Sequence, residues 1–140
     1  MAIVVQLVAR PILPEDWKLV PDGSEGALVT FAGHVRGTES GNAITALEYE
    51  AYAPMAEQEL RRIAGECLAK HGAGRLTVVH RTGVVPVGES AVVVAVTSAH
   101  RKAALACMDA FLDRLKQDVP IWKIRALPGD ERGAGRACPD

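Results

Sequence analysis

The sequence predicts an α+β fold with a mainly antiparallel sheet and two long helices. Three observations lead to this prediction: segments rich in β-branched residues follow one another, two stretches repeat apolar residues at helical spacing, and turns with glycine or proline separate them. The chain has 140 residues, of which 49% are hydrophobic. That is enough to bury a core without metal or disulfide support, so residues 1–140 are predicted to form a single domain.

Most of the chain before the first long helix has the composition of β-strands. Ile3 to Val8 is the first candidate, and Pro14 to Trp17 is expected to form a short helix because proline suits a first helical turn. The polar stretch Gly37 to Asn42 is predicted to be a mobile loop. Gly83 to Ser90 is predicted to turn the chain within a hairpin. The remaining strand candidates are Gly26 to Arg36, Ile44 to Tyr52, Arg75 to Arg81, Ala91 to Ser98 and Ile121 to Ile124.

Two stretches have the apolar period of amphipathic helices. The first begins at Pro54 and stops at His71-Gly72, because glycine favours a helix end. The second begins near His100 and ends before Pro120, which cannot continue a helix. Beyond it, residues 128–140 are predicted to be a loop-like tail. The periodic apolar residues are Ala56, Leu60, Ile63, Ala64, Cys67 and Leu68 in the first helix and Ala104, Leu105, Met108, Phe111, Leu112 and Leu115 in the second.

Composition excludes several classes of protein. A formal net charge of −1 argues against disorder and against a generic nucleic-acid binder, so any anion site must be local. The apolar segment Ala2 to Val8 is too short for a membrane span and lacks the basic lead of a signal peptide. Cys67, Cys107 and Cys138 form no CxxC pair, so neither a zinc site nor a disulfide framework is supported. Cys67 and Cys107 are expected to pack in the core, Cys138 lies in the tail, and a reducing cytoplasm is expected.

The first candidate site is the start of the second helix, where His100, Arg101 and Lys102 follow a strand. Free backbone N–H groups at a helix N-terminus attract anions. Positive side chains in a first turn oppose the helix dipole, and a bound phosphate would resolve that conflict. The alternative, that Arg101 and Lys102 are solvated and His100 is a capping or core residue, stays open on the sequence alone.

A second candidate site involves Lys116, in the last turn of the same helix, and Lys123 beyond Pro120. If the chain reverses at the proline, both ammonium groups reach one place. Two clustered lysines lower each other's pKa, which suits acid–base or nucleophilic work near neutral pH. The spacing is equally compatible with a favourable charge at a helix C-terminus for Lys116 and a polar strand face for Lys123.

Arg36 ends a predicted strand immediately before the polar loop, with His34 two positions earlier. A guanidinium there can clamp a phosphate through two parallel hydrogen bonds, although a surface arginine at a strand end fits the pattern too. His34 is a second candidate contact. His71 and His80 belong to no motif.

Four segments, in order and with similar gaps, resemble the large subunits of molybdopterin synthase over roughly residues 26–127. They are GALVTFAGHVRG (Gly26 to Gly37), ALEYEAYAPMAEQEL (Ala46 to Leu60), VVHRTGVVPVGESAVVVAVTSAHRKAA (Val78 to Ala104) and LKQDVPIWKIR (Leu115 to Arg125). The most specific pieces are SAHR at Ser98 to Arg101 and VPIWK at Val119 to Lys123. Neither is a general-purpose motif.

The resemblance implies an α/β-hammerhead fold and a cytoplasmic sulfurtransferase of molybdenum cofactor biosynthesis. Its implied partner is a small ubiquitin-like carrier whose Gly-Gly tail ends in a thiocarboxylate, and a homodimer of large subunits with two carriers makes a heterotetramer. The implied substrate is cyclic pyranopterin monophosphate, which receives the dithiolene sulfur. No metal or cofactor is expected to be bound by the chain itself, and neither a nucleic acid nor a membrane is expected as a partner.

The resemblance also assigns roles by position. Lys116 and Lys123 match the two active-site lysines of the family, and both are expected to contact the substrate as well. Arg36, His100 and Arg101 match its substrate-anion residues. On this interpretation Lys116 is the main acid–base or acyl-handling group, and Lys123 orients the carrier terminus.

One departure from the family pattern leaves room for other functions. After Trp122-Lys123 the family commonly has a basic and then an acidic residue, whereas this chain has Ile124-Arg125. A degenerate scaffold that binds the carrier without catalysis is therefore an alternative, although both lysines and SAHR are retained. A non-catalytic phosphometabolite-binding module is another, weakened by the absence of GxGxxG and GxxxxGK[ST] motifs.

Overall fold

A computed structural model describes residues 2–128 of the chain. Eight strands and three helices follow one another in it. The strands are β1 (Ile3–Val8), β2 (Ala27–His34), β3 (Thr38–Glu39), β4 (Asn42–Ala51), β5 (Arg75–Arg81), β6 (Gly83–Pro86), β7 (Ser90–Ser98) and β8 (Ile121–Pro128), and the helices are α1 (Pro14–Trp17), α2 (Ala53–His71) and α3 (Arg101–Asp118).

The first sheet has the strand order β1-β5-β7-β2. β5 and β7 form the predicted antiparallel hairpin, β2 pairs antiparallel with β7, and β1 lies parallel to β5. Both central strands are buried along most of their length. β7 is largely apolar, as such burial favours, whereas β5 also buries Thr77, His80 and Arg81. The prediction of an α+β fold with a mainly antiparallel sheet is therefore confirmed.

The second sheet is built around β4, which pairs antiparallel with β3, β6 and β8. The register of β4 against β8 shifts between Glu48 and Tyr49. Such a shift bends a strand and increases its twist. A small core of its own lies under this sheet, made of Val35, Ile44, Leu47, Val85 and Ala91.

The structure corrects three predicted boundaries. The segment Gly37 to Asn42 is not a plain loop, since it contains β3 and a two-residue turn in which Ser40 and Gly41 have φ of 52° and 82°. A two-residue hairpin turn whose twist matches that of the flanking strands requires a positive φ at both positions. Within the stretch predicted as a turn, β6 pairs with β4, and β8 runs four residues past its predicted end to Pro128.

The main core lies between the first sheet and the two long helices. Both helices end as predicted: Gly72, at φ 68°, terminates α2 in the left-handed conformation, and Pro120 follows the end of α3. The apolar stripes of the helices pack on the inner residues of β5 and β7. The fully buried members include Leu60, Ile63, Leu76, Val78, Val94, Val96, Cys107 and Phe111.

Cys67 and Cys107 are buried free thiols, as expected of packing residues. Burial raises the pKa of both, to about 11 for Cys107. Cys138 and the predicted tail beyond Pro128 lie outside the described residues. Within residues 2–128, no helix is long and apolar enough to cross a membrane, and no cluster of three or more His, Cys, Asp or Glu residues is placed to hold a metal ion.

Replacing Phe111 with alanine tests the main core. Phe111 is fully buried, so Phe111→Ala is expected to lower the free energy of unfolding by about 3–5 kcal/mol through lost burial and a residual cavity. Urea denaturation followed by circular dichroism measures it. Leu105→Ala, on the half-exposed face of the same helix, is the matched control and is expected to cost less than about 1 kcal/mol. Equal losses would contradict the packing described.

Candidate functional site

A cavity of about 540 Å³ opens where the two sheets meet the C-terminal half of α3. The end of β2 and the residues after it form one side of the cavity, and β4 and β8 form another. Its lining combines apolar and charged side chains. The residues are Phe31, Gly33, His34, Val35, Arg36, Thr38, Glu39, Leu47, Tyr49, His80, Ala91, Val92, Asp109, Leu112, Asp113, Leu115, Lys116, Ile121, Trp122 and Lys123.

Lys116 and Lys123 line this cavity together because the chain reverses between them. Lys116 occupies the last turn of α3, and Pro120 then breaks the helix. The Pro120 carbonyl accepts a hydrogen bond of 3.1 Å from the Tyr52 N–H, which anchors the reversal to the end of β4. β8 then runs back along β4 with Lys123 opposite Tyr49. The structure thus brings together two ammonium groups that the sequence alone could not place.

Arg36 supplies a third cation to the cavity from the segment that follows β2. Its position is set by the buried neighbour Val35, whose N–H donates to the Glu89 carbonyl and whose carbonyl accepts from the Gly88 N–H. Arg36 therefore extends from an anchored backbone although its own side chain is exposed. Three cations from three different elements converge on one cavity.

Carboxylates partly balance these cations. The Glu39 carboxylate accepts a hydrogen bond of 3.2 Å from Lys123 Nζ, and Asp109 and Asp113 line the α3 side. Burial, and then the nearby Glu39 charge, raise the pKa of Tyr49, so its hydroxyl stays protonated at neutral pH. Of the two ammonium groups in the cavity, that of Lys123 is thus paired with a carboxylate of the same chain.

His100 and Arg101 lie elsewhere. They line an open surface cleft of about 720 Å³ with Gly26, Ala27 and Lys102, at the start of α3. Arg101 and Lys116 are fifteen positions apart on one helix, which corresponds to roughly 22 Å along its axis. Within one chain, therefore, Arg36, Lys116 and Lys123 line one cavity, and His100 and Arg101 do not share it.

A largely buried ion pair holds the second cleft in shape. Arg75 Nε donates to Glu25 Oε2 at 2.9 Å, and the Thr97 hydroxyl donates to the same oxygen at 2.6 Å. The next residue, Gly26, approaches the chain before α3 so closely that a Cβ there would lie 2.7 Å from the Ala99 carbonyl oxygen. Glu25 thereby fixes the backbone against which the α3 N-terminus rests.

Several lining residues carried no motif in the sequence. Asp109 and Asp113 share one face of α3 with Leu112 and Lys116 at helical i, i+3, i+4, i+7 spacing, but that spacing does not show what the face meets. His80 is buried in β5 together with Thr77 and Arg81, and nothing in the sequence of that strand marked it as a cavity residue. Glu39 belongs to a segment that was predicted to be a loop.

The chain is thus an α+β domain whose cavity is lined by Arg36, Lys116 and Lys123. The model of the MoaE protein family matches residues 8–118, and on this match the chain belongs to that family.

Named relatives agree with the family match. The molybdopterin synthase catalytic subunit of Bacillus subtilis is 46% identical over 93% of this chain and 83% of its own length, and that of Rattus norvegicus is 41% identical over 86% of this chain. The chain spans 60% of the length of the rat relative. The crystal structure of molybdopterin synthase from Staphylococcus aureus superimposes with a TM-score of 0.81, at 38% identity, over 89% of this chain and 91% of that one.

The Glu25 ion pair makes stability depend on pH in a defined direction. Hydrogen bonds from Arg75 and Thr97 lower the pKa of Glu25 from 4.5 to about 2. A lowered pKa stabilises the fold above the unfolded value, and this contribution is lost as the pH falls from about 4.5 towards 2. Over that interval the melting temperature of Glu25→Gln is expected to fall less steeply than that of the wild type. Glu57→Gln, at an exposed position on α2, serves as the control and should follow the wild-type curve.

Proposed function

We propose that this chain is the catalytic subunit of a molybdopterin synthase, a cytoplasmic sulfurtransferase. In this proposal it moves sulfur from the C-terminal thiocarboxylate of a small ubiquitin-like carrier to cyclic pyranopterin monophosphate. The observation that carries the proposal is the convergence of Arg36, Lys116 and Lys123 on one cavity that also has apolar walls. Membership of the MoaE family supports it independently.

Both reactants are anionic, so the cations do the positioning. Two anions such as a thiocarboxylate and a phosphate would not stay close together in water. Ammonium groups in a partly enclosed site can hold them in that arrangement. Lys123 is placed to hold the carrier terminus, since its Nζ already binds a carboxylate in Glu39. An incoming terminus competes with Glu39 for that ammonium group.

Lys116 is the group proposed to handle protons. Its side chain enters the cavity from the end of α3, opposite the strand that carries Lys123. When the thiocarboxylate sulfur attacks the side chain of the pterin, a C–S bond forms as a C–O bond breaks, and a positioned ammonium group can protonate the departing oxygen. Water then hydrolyses the acyl–sulfur bond, which leaves the sulfur on the pterin and a carboxylate on the carrier. The half-buried apolar side chains of Leu112, Leu115 and Ile121 line the cavity beside it.

Ile124 and Arg125, the two residues at which the sequence differs from the family pattern, do not line the cavity. Arg125 Nε donates to Glu48 Oε1 at 2.6 Å, and the two residues are cross-strand partners in the β4–β8 ladder. Neither Ile124 nor Arg125 is among the cavity-lining residues of the described chain. The exchanged charge is therefore matched locally by Glu48, which removes the main reason to treat the chain as a degenerate scaffold.

Two copies of the chain are needed to bring His100 and Arg101 to the same substrate as Lys116. β2 is an edge strand of eight residues, with the cleft of His100 at its start and the cavity of Arg36 at its end. Its side chains Leu28 and Phe31 are exposed. If two copies pair these edges about a two-fold axis, the start of one β2 lies beside the end of the other. In the proposed homodimer each active site combines one cavity with the cleft of the partner copy.

Lys116→Ala is expected to abolish product formation and leave carrier binding largely intact, because the carrier terminus is held by Lys123. The assay combines purified protein, thiocarboxylated carrier and cyclic pyranopterin monophosphate, and it follows the dithiolene product as its fluorescent oxidised derivative. Lys70→Ala, at an exposed position on α2, is the matched control and should retain wild-type turnover. Wild-type turnover in Lys116→Ala would show that this lysine has no part in the mechanism. If the wild-type protein binds the carrier but forms no product, the chain is a non-catalytic scaffold instead.

Mixing two inactive variants tests the composite site. Lys116→Ala and Arg101→Ala are each expected to be inactive as homodimers. After subunit exchange about half of the dimers are mixed, and each mixed dimer keeps one unaltered site, so activity should recover to about a quarter of wild type. If each site belonged to one chain, no activity would return on mixing.

A further inference from the structure

The floor of the cavity is a row of three residues on neighbouring strands of the first sheet. His80 on β5 is paired in register with Val92 on β7, and Val92 is paired with Gly33 on β2. Paired residues of antiparallel strands project to the same face, so all three face the cavity that they line. A Cβ at Gly33 would lie 3.0 Å from Val92 Cγ1, so glycine keeps the floor open. His80 is the one member of the row with a hydrogen-bonding side chain.

The hydrogen bonds of His80 define its tautomer. Its Nδ1 lies 2.9 Å from the Arg81 carbonyl oxygen, which can only accept, so Nδ1 carries the proton. Burial lowers the pKa of His80, so the ring is neutral near pH 7 and Nε2 keeps a free lone pair. No residue in the described range 2–128 donates a hydrogen bond to that nitrogen.

His80 nevertheless belongs to the lining of the cavity. The described side-chain atoms that are both fully enclosed and unpartnered are His71 Nε2 and Arg81 Nε, and His80 Nε2 is not one of them. The residue as a whole is only 4% exposed. Its pairing in register with Val92, and of Val92 with Gly33, places His80 on the face of the sheet that lines the cavity.

The orientation of the imidazole is fixed from two sides. The ring of Tyr49, on the second sheet, meets it edge to face at a centroid distance of 5.4 Å and an interplanar angle of 70°. The bond from Nδ1 to the backbone holds the opposite edge. An acceptor held this way loses little freedom when it binds a donor.

We infer that His80 Nε2 is a substrate contact, which accepts a hydrogen bond from a ring N–H of the heterocyclic part of the substrate. The inference rests on the proposed function for the identity of that substrate. The cavity has a neutral acceptor at its floor and cations at its rim, in Arg36, Lys116 and Lys123. This polarity suits a ligand with an uncharged N–H-bearing ring at one end and a phosphate at the other. His80 thereby selects which edge of the heterocycle enters first.

Nitrogen NMR of the wild-type protein, labelled with [15N]histidine, tests the contact directly. In the free protein His80 should show a protonated Nδ1 and an unprotonated Nε2. Addition of cyclic pyranopterin monophosphate should shift the Nε2 resonance towards the hydrogen-bonded range, and addition of carrier alone should not. An Nε2 resonance that stays unmoved while the substrate binds would overturn the inference.

Two substitutions add a kinetic test. His80→Phe removes the acceptor, and His80→Gln can place an amide oxygen near the position of Nε2. The expected result is a KM for cyclic pyranopterin monophosphate that is roughly tenfold higher in His80→Phe, partly restored in His80→Gln, with carrier affinity unchanged in both. His71→Gln, at the end of α2, is the control. Equal KM values in His80→Phe and the wild type would refute the contact.

The proposed function and this inference fail in different ways. If the wild type neither binds nor converts cyclic pyranopterin monophosphate, the proposed function is wrong. If the wild type does both, but the Nε2 resonance does not shift and the KM of His80→Phe equals that of the wild type, only the proposed role of His80 is wrong.

Discussion

The seating of α3 on the first sheet is the constraint on which both candidate sites depend. Cys107 and Phe111 are fully buried against that sheet, and a helix transmits its position along its whole length. One packed stripe therefore sets the location of His100 at one end and Lys116 at the other. A slip of one turn would move Lys116 by about 5.4 Å, well beyond the reach of a hydrogen bond.

Elements whose stability comes from their own apolar pattern were predictable from the sequence. The bounds of β1, β5 and α1 match the prediction, and α2 and α3 differ by about a residue. The strands and the two long helices were visible through their apolar residues, whereas α1, which has no buried residue, was predicted from Pro14 in its first turn. β3 and β6 left no such signal, since β3 has only two residues and pairs with β4 across a tight turn, and β6 forms through pairing with β4, which is distant in sequence. The turn at Ser40-Gly41 was predicted as part of a loop, because turn residues in a sequence do not show which strands they connect.

The individual residues of the candidate site could be predicted from the sequence, but their convergence on one cavity could not. Family resemblance pointed to Arg36, Lys116 and Lys123, yet their convergence depends on the reversal at Pro120 and on the pairing of β8 with β4. The resemblance grouped His100 and Arg101 with Arg36, whereas the length of α3 separates them within one chain. The environment of His80 could not be read at all, because it is created by strands that are distant in sequence.

The burial of the two described thiols has a chemical consequence for a protein proposed to handle an activated acyl sulfur. A thiol reacts as its thiolate, and with a pKa of about 11 only about one Cys107 side chain in ten thousand is ionised at pH 7. Cys67 is also buried with a raised pKa. Neither can readily intercept the carrier by thioester exchange. Neither thiol lines the cavity, so within residues 2–128 no cysteine side chain there would compete with the sulfur that the proposed carrier delivers.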